Sequence, residues 1–253
     1  MLLENRNAVV YGGAGAVGSV VARAFARAGA RVFLAGRTSA TLQAVAESIR
    51  SAGGAAETAV VDALDEAAVD ALADRVVAEA GSLDISFNLI DVQDVQGTPL
   101  AEMSWEDFDK PVATALRSTF ITARTAARQM IRQRSGVILT FGGGGGRNPI
   151  RHYSIGGFIV ALAAVDTLRR QLAAELGEYG IRVLTIETGG LLETLPKDFP
   201  GRDDIADMLL EQTMLGHTAT LEDIGNVAVF AASDLARSMT GTILNTTCGA
   251  SVD

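Results

Sequence analysis

The chain has 253 residues, 48% apolar and 20% charged, enough to bury a sizeable core in one large domain or two small ones. With 21 Lys+Arg against 30 Asp+Glu the net charge is −9, which argues against nucleic acid or an anionic membrane as the main partner. The one cysteine, Cys248, excludes an internal disulfide framework and points to a reducing compartment. Met1–Arg6 carries no signal-peptide core, and the longest apolar run, Phe158–Val165, is cut by Asp166, far short of the roughly 20 residues a spanning helix needs. The expectation is a cytoplasmic protein whose partner is a small molecule.

In chain order, apolar β-rich runs alternate with helical patterns. Asn7–Tyr11 reads as a buried strand, and Ala16–Ala28 as a helix with Val17, Val20, Val21 and Phe25 on one face and Gly29 as its stop. Strand Arg31–Ala35 and helix Thr38–Ser51 follow, then strand Glu57–Val61, helix Asp65–Ala80 and strand Asp84–Leu89. A long helix spans Trp105 to Arg134, then come strand Val137–Phe141, helix Ser154–Glu178 and strand Val183–Glu187. Leu221–Ser233 is helical and Thr242–Asn245 is the last strand. Strict alternation predicts an α/β fold, a doubly wound parallel sheet covered by helices on both faces. Residues 1–253 read as one domain. Only 188–216 breaks the rhythm, and an insertion after a strand's carboxyl end reads as a lid over a ligand crevice.

The first strand runs through Gly12-Gly13-Ala14-Gly15-Ala16-Val17-Gly18 into a helix, so Gly13, Gly15 and Gly18 form a G-x-G-x-x-G. Between strand and helix, that spacing fits a tight turn, close backbone approach to a pyrophosphate, and helix amides facing an anion. The second strand ends Leu34-Ala35-Gly36-Arg37-Thr38. A site for NAD(H) usually has a carboxylate there for the adenosine ribose hydroxyls. Here glycine and then a guanidinium stand in its place, with Thr38 or Ser39 adding a hydroxyl, which favours NADP(H). The two histidines and the cysteine are scattered, without metal-ligand spacing.

These residues make the chain resemble the short-chain dehydrogenase/reductase family over nearly its whole length. Tyr11–Gly18 stands where that family has TGxxxGxG; Gly12 and Gly18 match, and Ala16 replaces the middle glycine. Val61-Asp62 matches the adenine-contacting aspartate after the third strand. Gln171–Val183 is typical of the sixth helix and strand, as are Glu222-Asp223-Ile224, Thr240-Gly241 and Gly249-Ala250-Ser251 of the end. The resemblance implies a Rossmann-like sheet of seven strands and a homotetramer or dimer. It also implies a dinucleotide site built from Gly12, Ala14, Gly15, Val17, Gly18, Arg37, Thr38, Asp62, Asn88, Thr188 and Gly189.

The family's Asn-Ser-Tyr-Lys tetrad does not carry over. An ungapped alignment puts the asparagine at Ala115, the serine at Gly143, the tyrosine at Gly156 and the lysine at Val160. The NNAG motif appears as Asn88-Leu89-Ile90-Asp91, the PG after the sixth strand as Thr188-Gly189, and the following threonine as Thr194. Without a positioned acid, a rate factor on the order of 10²–10⁴ is forfeited. Hydride transfer itself needs only a bound cofactor and a nearby electrophile. Tyr153 and His152 are the substitutes nearest the vacant position. Asp91, Asp94 and Glu187 are further crevice carboxylates, Arg117 and Arg147 are candidate anion holders, and His217 reads as a packing or capping residue. The run Gly142–Gly146 either makes room for a bulky ligand or is a loop released from catalytic demands, and Gly156-Gly157 reads the same way.

The expected function is therefore an NADP(H)-binding oxidoreductase with a degenerate site. The alternatives are an inactive relative that senses a ligand or pairs with an active subunit, and a non-redox lyase or isomerase reusing the crevice. A stripe of Ile159, Leu162, Ala163, Asp166 and Arg170 is compatible with burial against a second copy or against the chain's own sheet.

Overall fold

The computed structural model describes residues 1–143 and 153–252. Seven strands are β1 (Asn7–Tyr11), β2 (Arg31–Gly36), β3 (Ala55–Val60), β4 (Ile85–Asn88), β5 (Gly136–Gly143), β6 (Ile181–Thr188) and β7 (Thr242–Thr246). They pair in parallel in the order β3-β2-β1-β4-β5-β6-β7, a Rossmann-like doubly wound sheet. The helices are α1 (Ala16–Arg27), α2 (Ser39–Ser51), α3 (Glu66–Ala80), α4 (Trp105–Gln133), α5 (Phe158–Leu176), α6 (Arg202–Gln212) and α7 (Leu221–Ala232).

The pleat divides the core in two. Val10, Leu34, Phe87, Leu139, Leu184 and Ile186 face α1, α2 and α7, where Phe25, Leu42 and Ile224 are fully buried. Val9, Phe33, Ile138, Val183 and Ile181 face α3, α4 and α5, against Leu72, Val76, Met130 and Leu176. The inner strands β1, β2, β4 and β6 are largely buried on both faces and read as apolar runs, while the edge strands β3 and β7 are only partly buried. Capping residues set the helix starts: Asp65 accepts from the Ala68 amide, Ser104 from the Asp107 amide, and Thr220 and Asp223 form a reciprocal capping box. Among the described residues no helix is long and apolar enough to cross a membrane.

The predicted elements all form, with two corrections of substance. The helix expected from Ser154 starts at Phe158, because Gly156 has φ +53°, outside the helical region, and Ser154 O accepts a 2.7 Å bond from the Gly97 amide. The irregular stretch 188–216 contains a short 3₁₀ turn at Leu192–Thr194 and the helix α6. Its signal was present in Asp203 and Asp204 of a first turn and in Ile205, Met208 and Leu209 at helical spacing.

Candidate functional site

Chain direction reverses between β1 and β4: from β1 the strands build outward to β2 and β3, and from β4 to β5, β6 and β7. The crevice at the carboxyl ends of such a switch point is where ligands bind in open α/β sheets. The glycine loop crosses it. Gly12 has φ +73°, and a β-carbon there would fall on the Leu89 carbonyl of the segment leaving β4. A β-carbon on Gly18 would fall on the Gly12 carbonyl, so α1 presses directly onto the turn. The Gly13 amide donates to Ala35 O at 3.1 Å, the Gly15 amide to Gly12 O at 2.9 Å. Gly15 is the exposed N-cap of α1 and no side chain caps that end, with Ala14 and Val17 half-buried beside it. This arrangement fits a dinucleotide pyrophosphate: exposed amides at a helix start, with no side chain in the way.

The residues expected to meet an adenosine lie one strand over. The Val61 amide donates 2.9 Å to Gly36 O, which brings Asp62 alongside Arg37 and Thr38, all exposed. Asp62 accepts 3.0 Å from the Leu64 amide with Oδ1, and Thr38 is the N-cap of α2. Thr188 ends β6 in register with Gly143 and Thr246, and Gly189 follows it. Asn88 ends β4, beside the same crevice. Its side chain turns into the fold, donating to Ser118 Oγ at 3.1 Å and Thr119 Oγ1 at 3.3 Å while accepting from the Ile90 amide at 3.1 Å. It ties β4 to α4.

The tetrad positions scatter. Ala115 packs with Ala161, Val165, Val92 and Val112 between α4 and α5. Gly143 is the last residue of β5. Gly156 lies against Met103, and a β-carbon on Gly157 would overlap the Phe108 carbonyl, so these glycines permit close approach of two segments. That replaces the reading of Gly156-Gly157 as a released loop. Val160 is 41% exposed, on the outside of α5. The α5 residue that lies at the end of β5 is Leu162, whose Cδ2 stands 3.8 Å from where a β-carbon of Gly142 would be. Phe158, one turn earlier, shares its helix face. Leu162 thus lies against the chain's own sheet, and Asp166 of the same stripe is engaged by Arg169 and Arg170.

Among the described residues, the substitute candidates are not brought together. Tyr153 is exposed on the approach to α5; His152 and Arg147 lie outside the described residues, as does most of the Gly142–Gly146 run. Asp91 and Asp94 are tied to their own loop, accepting from the Gln93 amide at 3.0 Å and Gln96 Nε2 at 2.5 Å. Arg117 is exposed on α4. His217 is exposed, its Nδ1 3.3 Å from Thr218 O and 3.7 Å from Cys248 Sγ; burial and the Asp223 charge push that thiol up. Glu187, by contrast, is buried at the end of β6, and its Oε1 has no hydrogen-bond partner among the described residues. No cluster of three metal-ligating side chains occurs among the described residues.

Two contacts of the stretch 188–216 close on glycines. Leu209 of α6 sits on Gly190, where any β-carbon would displace it, and Met214 sits on Gly249. The amides of Met214 and Leu215 both donate to Cys248 O, at 3.0 and 3.2 Å.

Similarity to known proteins agrees with this geometry. A family model described as enoyl-(acyl carrier protein) reductase matches residues 12–251. Tropinone reductase-like 1 of Erythroxylum coca is 32% identical over 243 residues, covering 94% of this chain and 88% of that protein. A crystal structure of a short-chain type dehydrogenase/reductase from Mycobacterium marinum superposes with TM-score 0.86 at 27% identity, covering 99% of this chain and 97% of that one. A structure from Mycobacterium ulcerans described in the same terms reaches 0.90 at 25% identity, covering 99% and 91%. With the switch-point glycine turn, the seven-stranded order and this coverage in agreement, the chain belongs to the short-chain dehydrogenase/reductase family.

Proposed function

We propose that this chain is an oxidoreductase that binds NADP(H) in preference to NAD(H) and lacks the family's Asn-Ser-Tyr-Lys apparatus. The observation that carries the cofactor reading is the pairing of the uncapped glycine turn with Gly36-Arg37 at the end of β2. Gly12, Ala14, Gly15, Val17 and Gly18 admit the pyrophosphate, and Arg37 with Thr38 holds the 2′-phosphate. Asp62 meets the adenine, and Thr188 with Gly189 borders the nicotinamide half. A bound nicotinamide supplies hydride chemistry to a small-molecule substrate.

The vacancy reading is carried by the face of α5. Phe158 and Leu162, rather than Gly156 and Val160, occupy the tyrosine and lysine places, because Leu162 is the residue turned toward Gly142 and Val160 is turned outward. The ungapped count crosses a glycine-rich loop whose length changes at little cost, whereas a packed helix does not slip by two residues. Either register leaves no phenol and no ammonium. The segment 188–216 serves as the substrate lid: α6 has no buried residue and rests on the crevice mainly through Leu209. A homo-oligomer accounts for Trp105 and Phe120, both exposed on α4, and sedimentation showing a monomer would sink that part.

The test is calorimetric titration with NADPH, NADH and NADP+ at fixed salt. NADPH binds more tightly than NADH, and Arg37→Ala removes that preference, a change on the order of tenfold or ~1.4 kcal/mol. Absence of binding by every dinucleotide overturns the reading and leaves the inactive-relative alternative, favoured by the vacant α5 face. Isotope transfer from labelled NADPH to product separates redox turnover from lyase or isomerase chemistry.

A further inference from the structure

Glu187 is 5% exposed and sits one residue from the carboxyl end of β6. By pleat it shares a face with Thr185 and Val183, the side covered by α5. Its register partner on β5 is Gly142, which contributes no side chain. What faces Gly142 on that side is Thr185 Cγ2 and Leu162 Cδ2, both apolar atoms. Thr185 spends its hydroxyl on Thr140, at 2.7 Å. The buried cation of α5, Arg169, is engaged by Asp166 within its own helix. The Glu187 carboxylate therefore carries a buried Oε1 that nothing among the described residues satisfies.

A carboxylate oxygen buried without a partner costs several kcal/mol, which a counter-charge brought by a ligand would offset. We propose that the crevice takes an organic cation, an ammonium or iminium compound with an apolar body, and that the Glu187 carboxylate is its counter-ion. Phe158 and Leu162, sharing one face of α5, supply the apolar wall beside Gly142. The ligand class also suits a crevice with no tyrosine or lysine. A C=N bond that already carries positive charge becomes a neutral amine by gaining a hydride pair alone. The pair forms the C–H bond, the π electrons withdraw to nitrogen, and no proton is needed. This consequence for substrate rests on the nicotinamide reading above; cation binding itself does not.

The experiment is calorimetric titration of the intact protein with benzyltrimethylammonium chloride and, as the uncharged comparator, benzyl alcohol, each with and without NADPH. The cation binds at least tenfold more tightly than the alcohol, and Glu187→Gln removes that advantage while leaving the alcohol's affinity and NADPH binding unchanged. A second variant, Leu162→Lys, brings a competing ammonium to the same place and abolishes cation binding, so the test survives if either variant folds poorly. Equal affinity for cation and alcohol, or cation binding unaffected by Glu187→Gln and Leu162→Lys, overturns the proposal. NADPH binding without cation binding defeats this inference and spares the cofactor reading; cation binding without any dinucleotide binding does the reverse.

Discussion

Leu162 of α5 lies over Gly142 of β5, its Cδ2 3.8 Å from the place a β-carbon would take. This one contact fixes the rotation of α5 over the crevice. A residue two positions away on a helix points about 200° around the axis, so Val160 faces solvent while Leu162 faces the sheet. The identity of the crevice wall follows from that rotation rather than from counting along the chain.

The double variant Phe158→Tyr with Leu162→Lys is expected to gain NADPH-dependent reduction of a simple activated ketone by about 10² or more, the worth of a positioned acid. Gly156→Tyr with Val160→Lys is expected to gain nothing and to lose stability, since Gly156 has φ +53° and its side-chain space is filled by Met103. Steady-state assays and thermal melts on both pairs decide it. Equal gains from the two would refute the α5 register.

Gly18→Ala is expected to destabilise the fold by about 1–3 kcal/mol, the range for backbone forced from a favoured geometry, and to lower dinucleotide affinity. Its β-carbon, fixed in place by its own backbone, meets the backbone carbonyl of Gly12, so no side-chain rotation or repacking relieves the overlap. Urea unfolding paired with NADPH titration reads both effects. Wild-type stability in the variant would count against the tight turn.

Asn88→Ala is expected to cost about 1–3 kcal/mol, because it removes a hydrogen-bond partner from buried Ser118 and Thr119. The carboxamide joins Ser118 and Thr119 of α4 to the Ile90 amide of the crevice loop. Stability should therefore fall much more than NADPH affinity, which equilibrium unfolding and calorimetry separate. A selective loss of affinity would show instead that Asn88 acts mainly at the cofactor site.

Asp166 predicts an acid limb. Burial alone would raise its carboxyl, but hydrogen bonds and charge from Arg169 and Arg170 outweigh it and hold it below the ordinary carboxylate range. A group lowered on folding contributes stability that is fully present above its unfolded value of about 3.9 and is lost as pH falls through the lowered folded value. Asp166→Asn should have a lower melting temperature at neutral pH and a flatter decline below about pH 4. A wild-type slope in the variant would show that other carboxylates govern the acid transition.

The sequence alone determined the sheet, the helix faces and the glycine turn. Those features rest on local periodicity and on residues such as Gly12 and Gly18, whose backbone demands are written into their identity. It also marked 188–216 as the stretch that breaks the β-α alternation, though not α6, whose short apolar pattern in Ile205, Met208 and Leu209 lies in an otherwise acidic stretch. The tertiary structure alone decided three things. It turned Asn88 inward onto Ser118 and Thr119, set Gly156 and Gly157 under Met103 and Phe108, and left Glu187 Oε1 buried without a described partner. Each depends on segments tens of residues apart in the chain meeting at one place. Local periodicity fixes which way a side chain faces within its own element, but the rotation of one packed element against another is set by long-range contacts that no short window of sequence contains.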